Sequence, residues 1–165
     1  MKNYYRSLNG YLAEDGFRCL HCGAFVTADP AISSVQNRNH CPYCLRSRHL
    51  DLFKAGDRLA ACKTTMKPVG LTVKRSRNRY AREATGELML VHLCEACGKI
   101  SINRIAADDV PEALMEIFED SIVLEPEFRA HLAQSGVWIL QAREYHIVAR
   151  ALGIESQLSV HMETS

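Results

Sequence analysis

Six of the seven cysteines in this chain fall in Cys-x-x-Cys pairs. The pairs are Cys19-Leu20-His21-Cys22, Cys41-Pro42-Tyr43-Cys44 and Cys94-Glu95-Ala96-Cys97, and Gly23 and Gly98 follow the first and third. Two thiolates three positions apart grip one ion from a single tight turn. A glycine just after the pair relieves the backbone as that turn closes. Eighteen residues separate Cys22 from Cys41, inside the usual range for a four-sulfur zinc site. The spacing predicts one site made of Cys19, Cys22, Cys41 and Cys44. Four unrelated buried thiols would need two such pairs by chance.

Cys62, Cys94 and Cys97 leave a second site one ligand short. A closed tetrahedral site would take a histidine there. His92 would give His-x-Cys-x-x-Cys, and His49, between the second pair and Cys62, is the alternative; His40 and His21 stand beside cysteines already assigned. A partition that pairs the third knuckle with the first stays open at this level. Zn2+ is the expected cofactor, two ions per chain, with iron the other metal that thiolates select. Three cysteines alone would leave the second site open to water, as catalytic zinc is. A zinc-dependent enzyme is therefore the third reading of function.

Other chemistries fit less well. Cys-Pro-Tyr-Cys is also the redox tetrapeptide of glutaredoxins, where it follows a strand and opens a helix. Here it follows the polar run 33–40. The zinc deaminase signature needs His-x-Glu before Pro-Cys-x-x-Cys, and Pro42 lies inside its pair. No phosphate-binding loop, His-Glu-x-x-His helix or Gly-x-Ser-x-Gly elbow is present.

Two kinds of element must hold these residues. Val69–Lys74 and Leu88–Leu93 are short β-prone stretches, predicting a hairpin with Thr85-Gly86 in its turn. Past residue 108 the pattern is helical. Pro111 with Val110, Leu114, Ile117 and Phe118 predicts one helix, started by Asp108 and Asp109. A second starts at Glu125-Pro126, carries Phe128 and Leu132, and stops at Ser135-Gly136. A third is predicted over 139–152, with Gly153 as its stop and 155–165 frayed. Three short helices bury little alone, so they should pack on the cysteine module or on another subunit. The expected fold class is α+β: a small zinc-ribbon-like β module with a C-terminal helical appendage.

The chain has 165 residues, 47% of them hydrophobic and 24% charged, a globular composition. Its longest apolar runs, such as Leu88–Val91, are far too short to span a bilayer. Residues 1–16 carry no apolar signal stretch, so a cytoplasmic location is expected and the cysteines read as metal ligands. The net charge of +1 hides a division. Residues 1–108 hold 17 Lys and Arg against 9 Asp and Glu, while 109–165 hold 3 against 10. The expected domains are a basic knuckle module over 1–109 and an acidic three-helix segment over 110–165.

Basic charge on that scale is a footprint for a polyanion. Arg75, Arg77, Arg79 and Arg82 surround Tyr80 at the hairpin tip. Guanidinium forks there would hold phosphates while the ring stacks on a base. Arg38, Asn39 and His40 are candidates to brace the metal loop by hydrogen bonds. The leading functional expectation is a structural-zinc module that binds RNA, on the ribosome or translation machinery by analogy with other small basic zinc proteins. The alternative is a protein-interaction adaptor using the acidic helices, with no membrane role in either case.

Arg38-Asn39-His40-Cys41-Pro42 spells the motif that names the bacterial RNHCP-domain family, which the chain resembles over roughly residues 15–110. Phe17-Arg18-Cys19 with Cys22-Gly23 is similar to the family's opening knuckle. Cys44-Leu45 with Ser47, His49 and Asp51 is similar to its central block, and Gly56-Asp57-Arg58 with Cys62, Met66 and Pro68 to the next. His92, Cys94, Cys97, Gly98, Asn103-Arg104-Ile105-Ala106 and Asp108-Asp109 resemble the closing block. Thr64 stands where the family tends to have glycine and Val110 where it tends to have asparagine, and neither is expected to touch a ligand. The resemblance implies zinc binding, names no activity, and says nothing of 111–165.

Overall fold

The computed structural model describes residues 16–75 and 86–154. The expectations for Arg77, Arg79, Tyr80, Arg82, Thr85 and the 155–165 stretch lie outside the described residues. Of Arg75 only the backbone is described.

Strands β1 (Gly16–Arg18) and β2 (Phe25–Thr27) pair antiparallel around the first cysteine turn. A single helical turn, α1 (Pro30–Ser33), opens with the Asp29 carboxylate accepting from the Ala31 amide. A second sheet then forms from β3 (Ser47–Arg48), β4 (Thr65–Arg75), β5 (Gly86–Cys94) and β6 (Ile100–Arg104), antiparallel and in chain order. The β4–β5 ladder runs from Met66 opposite Cys94 to Arg75 opposite Gly86, longer at both ends than predicted. Helices α2 (Pro111–Ile122), α3 (Pro126–Gln134) and α4 (Tyr145–Ala151) follow. The fold mixes helix and sheet, and no described helix is long and apolar enough to cross a membrane.

The apolar run in β5 is explained by cover on both faces. Successive side chains of a strand point to opposite sides, so a strand buried on both sides loses its alternation. Leu88 and Leu90 join Leu71, Leu45 and, from α2, Leu114 and Phe118. Val91 joins Val69, Leu132 of α3 and Ile139. Leu140 and Val148 complete the first cluster. Both clusters therefore span the expected domain boundary at 109/110.

The third helix starts later than its periodicity predicted. A 3-10 turn at Ala142–Glu144 leads into α4, and the residues before it are extended along β4. The Leu140 amide donates to the Leu71 carbonyl at 2.8 Å and the Thr72 hydroxyl to the Trp138 carbonyl at 2.6 Å. Strand β3 pairs only with Thr65 and Met66, so the edge of β4 beyond them has backbone groups to satisfy. Those bonds outweigh the local helical preference. The start of α2 also differs: its N-cap is Val110, with no side-chain cap bond. The Asp109 carboxylate is engaged elsewhere.

Candidate metal centres

The three Cys-x-x-Cys turns share one backbone pattern. In each, the first cysteine's amide donates five residues ahead, Cys19 to Ala24, Cys41 to Arg46 and Cys94 to Lys99, at 2.8–2.9 Å. Its carbonyl accepts from the amide four residues ahead, at Gly23, Leu45 and Gly98. That fourth residue is left-handed in every case, with φ of 75°, 54° and 70°. Glycine suits it at two turns. Leu45 accepts about 1–2 kcal/mol of backbone cost because its side chain, 1% exposed, is planted in the main core.

Cys19, Cys22, Cys41 and Cys44 form the first ligand set, with all four sulfurs within 4.8 Å of one another. Cys19 lies 3.6 Å from Cys44 and Cys22 3.6 Å from Cys41. A tetrahedron with zinc–sulfur bonds of about 2.3 Å has edges of about 3.8 Å, so the set fits a tetrahedral thiolate site. The tetrapeptide 41–44 sits in a loop ahead of β3. It lacks the strand-then-helix setting of a redox pair.

The second set is His49, Cys62, Cys94 and Cys97, again within 4.8 Å. Cys62 and Cys94 are 3.6 Å apart, and Cys97 Sγ lies 3.4 Å from His49 Nδ1. The loop that joins His49 to Cys62 is knitted around two carboxylates. Asp57 accepts from the amides of Leu52, Phe53, Lys54 and Leu59, and Asp51 from those of Gly56 and Arg58. Those bonds hold the Asp57 carboxyl well below the usual carboxylate range. The loop's return places Thr64 so that the His49 amide donates to its carbonyl at 2.9 Å.

His92 is corrected as the fourth ligand. It is fully buried on β5; its Nε2 donates to the Leu45 carbonyl at 2.7 Å, and its Nδ1 lies 2.9 Å from the Asn103 amide nitrogen. Both ring nitrogens are used, so none is left for a metal. Burial, partly opposed by the Leu45 bond and reinforced by nearby His40, pulls its pKa down to about 3. His92 is a neutral strut that ties the second knuckle to the sheet. Thr64 departs from expectation too, since its Oγ1 lies 3.2 Å from Cys62 Sγ.

The Arg38-Asn39-His40 motif lies beneath the second knuckle. Arg38 Nε donates to the His40 carbonyl at 3.1 Å, and the Asn39 carbonyl accepts from the Ser47 hydroxyl and the Arg48 amide. Asp109 holds the far side: it meets His40 Nε2 at 2.8 Å and an Arg38 guanidinium nitrogen at 3.2 Å, and it accepts from the Ala106 amide. Asp108 pairs with the same arginine. By local sequence alone, both aspartates predict the start of a helix at Pro111. Their partners, some 70 positions away, carried no local signal.

The donor chemistry fits a thiophilic cation such as zinc. Burial pushes the Cys41, Cys44 and Cys94 thiols up. Thr64 and His49 draw Cys62 down to about 6. Protons alone leave each set unevenly ionised, whereas a divalent ion discharges all its thiols together. His49 supplies a second sign: its Nδ1 stands 3.4 Å from Cys97 Sγ, close to the edge of a tetrahedron with one nitrogen and three sulfur ligands. With His49 present the second set offers four ligands, and the open three-cysteine site does not arise.

A model of the RNHCP domain matches residues 14–115. No curated protein and no solved structure matches the chain. The matched stretch contains both ligand sets, the Arg38–His40 motif and the aspartates that brace it. The chain belongs to the RNHCP-domain family.

Proposed function

We propose that the protein is an RNA-binding module held by two structural zinc ions and acting on the ribosome or translation machinery. The observation that carries the structural role is that each set supplies four protein ligands, the closed arrangement of non-catalytic zinc. The RNA reading is supported by the β4–β5 arm. Its ladder starts beside the second centre at Cys94 and ends at Arg75 and Gly86, about 30 Å away at ~3.3 Å per residue. The sequence that joins those two strand ends holds four arginines and a tyrosine within 75–82.

Fluorescence anisotropy of single-stranded RNA with the metal-loaded full chain tests this reading. The double substitution Arg77→Glu, Arg79→Glu should remove most binding and lower the log–log salt slope by roughly one per lost phosphate contact, with metal content unchanged. Unaltered binding would clear the arm. A 1–110 fragment is not a fair test, because Leu114, Phe118, Leu140 and Val148 of the core would be missing.

One observation favours the adaptor reading as second. Trp138 is 69% exposed and lines a groove of about 940 Å³ with Ile102, Val137 and Arg129. Binding that persists after nuclease treatment and high salt, and is lost in Trp138→Ala, would support it over RNA.

A further inference from the structure

Five arginines line one cavity of about 240 Å³ beside the first ligand set: Arg18, Arg38, Arg46, Arg48 and Arg58, with Asn39 and Cys19 among them. Their carboxylate partners are unequally shared. Arg38 is fully buried and paired with Asp108 and Asp109, and Arg46 meets Glu95 at 3.0 Å. Arg48 and Arg18 each give one N–H to a backbone carbonyl, of Lys63 at 3.1 Å and of Gly23 at 3.3 Å. Neither has an ion-pair partner among the described residues. Arg58 is 3.9 Å from Asp51, whose oxygens already accept from two amides. Arg58 also points one N–H at the Arg38 carbonyl, 3.5 Å away; a guanidinium carries five donors, so most of those on Arg18, Arg48 and Arg58 have no partner among the described residues.

We propose that this cavity is a phosphate-binding site that takes one phosphate of an RNA strand, with Arg48 and Arg58 as its forks. The inference deepens the RNA reading and rests on it for the identity of the strand. A concave site lined by one sign of charge focuses the field and concentrates counter-ions. Planar guanidinium groups match a phosphate with paired N–H bonds. The volume decides the class of ligand: it is below the ~300–1,000 Å³ of most organic-ligand pockets, and suits a phosphate with the sugar attached to it. The carbonyls that orient the arginines belong to the metal loops. Lys63 follows Cys62 and Gly23 follows Cys22, so both centres preorganise the site.

The test uses the metal-loaded full chain and two probes. Inorganic phosphate is titrated while backbone amide shifts are followed, with sodium chloride at matched ionic strength as control. Saturable shifts should cluster at Asn39, Ser47, Arg48 and Thr65, and Arg58→Glu should weaken them at least tenfold. The second probe is a labelled ten-nucleotide single-stranded RNA, for which Arg58→Glu should lower affinity at least tenfold. Arg48→Lys, which keeps the charge and loses the fork, should weaken both probes, and metal content must stay at the wild-type value in each variant. Unsaturable phosphate shifts, with RNA affinity unchanged in Arg58→Glu, would overturn the site and leave the RNA reading standing on the arm. Saturable phosphate binding with no RNA binding by the wild type would keep the site and remove the RNA reading.

Discussion

The two centres bring similar ligands together in unlike surroundings. Around the first, the cysteines are themselves the core. Cys19, Val26 and Cys41 make a small cluster with Phe17, Ala24 and Cys44 packed on it, and β1 and β2 have three residues each. The second centre sits at the end of β5, a strand whose Leu88 to Val91 are buried on both faces. In one place a bound metal would substitute for a core, and in the other it would clip a loop to a core that already exists. The same chemistry would therefore carry different shares of local stability.

The largest expected effect breaks that contrast directly. Cys41→Ser should halve the metal content and release residues 16–27, since structural zinc supplies on the order of 10–16 kcal/mol of apparent folding free energy in small zinc peptides. Cys94→Ser should also halve it, yet amides at Leu71, Leu90 and Val91 should stay protected from hydrogen exchange in both variants. Simultaneous loss of protection everywhere would show that the two regions are one cooperative unit.

The next effect sharpens the roles of the two histidines. His49→Ala should lose one metal. His92→Ala should keep both and cost about 3 kcal/mol, from a cavity and two stranded polar partners. The pH dependence follows from the same placement. His92 has a folded pKa of about 3 against an ordinary value of 6.5. Below 6.5 the unfolded chain takes up the proton that the folded chain refuses, so stability falls with falling pH. The slope is about 1.4 kcal/mol per unit until pH nears 3. Urea midpoints at pH 7 and 5 should show that share of the slope absent from His92→Gln, where metal release contributes equally to both proteins.

Two smaller effects compare the knuckles. A Cβ at Gly23 meets nothing within 4 Å, so Gly23→Ala should cost only the left-handed backbone, about 1 kcal/mol. Leu45→Ala should cost about 2–4 kcal/mol through lost core packing, though both residues occupy the same place in their turns. Smallest of all, Thr64→Gly should let the Cys62 thiol rise from about 6 toward its ordinary 9.0. Protons then compete for the second centre between those values, and its metal should be released at higher pH than in the wild type. The first centre should not respond.

What was legible in the chain was whatever the local spacing encodes. The cysteine pairs, the proline starts of α2 and α3, and the strands around Leu71 and Leu90 could all be read within a short window. His49 could not be chosen over His92, because the choice turns on the loop that Asp51 and Asp57 fold and on a carbonyl at Leu45 that uses the rival nitrogen. Asp109 was misread for the same reason: a carboxylate before a proline looks like a helix start, and its buried partners are remote. Residues 139–140 open a helical pattern, yet Leu140 and its neighbour Trp138 satisfy the edge of β4. Distant partners decided each miss.

The zinc-edge X-ray absorption spectrum of the loaded protein, normalised to metal per chain, tests the central claim most directly. Seven cysteines and one histidine shared by two ions predict two equivalents with an average of 3.5 sulfur and 0.5 nitrogen neighbours per ion, at about 2.3 and 2.0 Å. One equivalent with four sulfurs, or an average rich in light-atom neighbours, would contradict two closed centres.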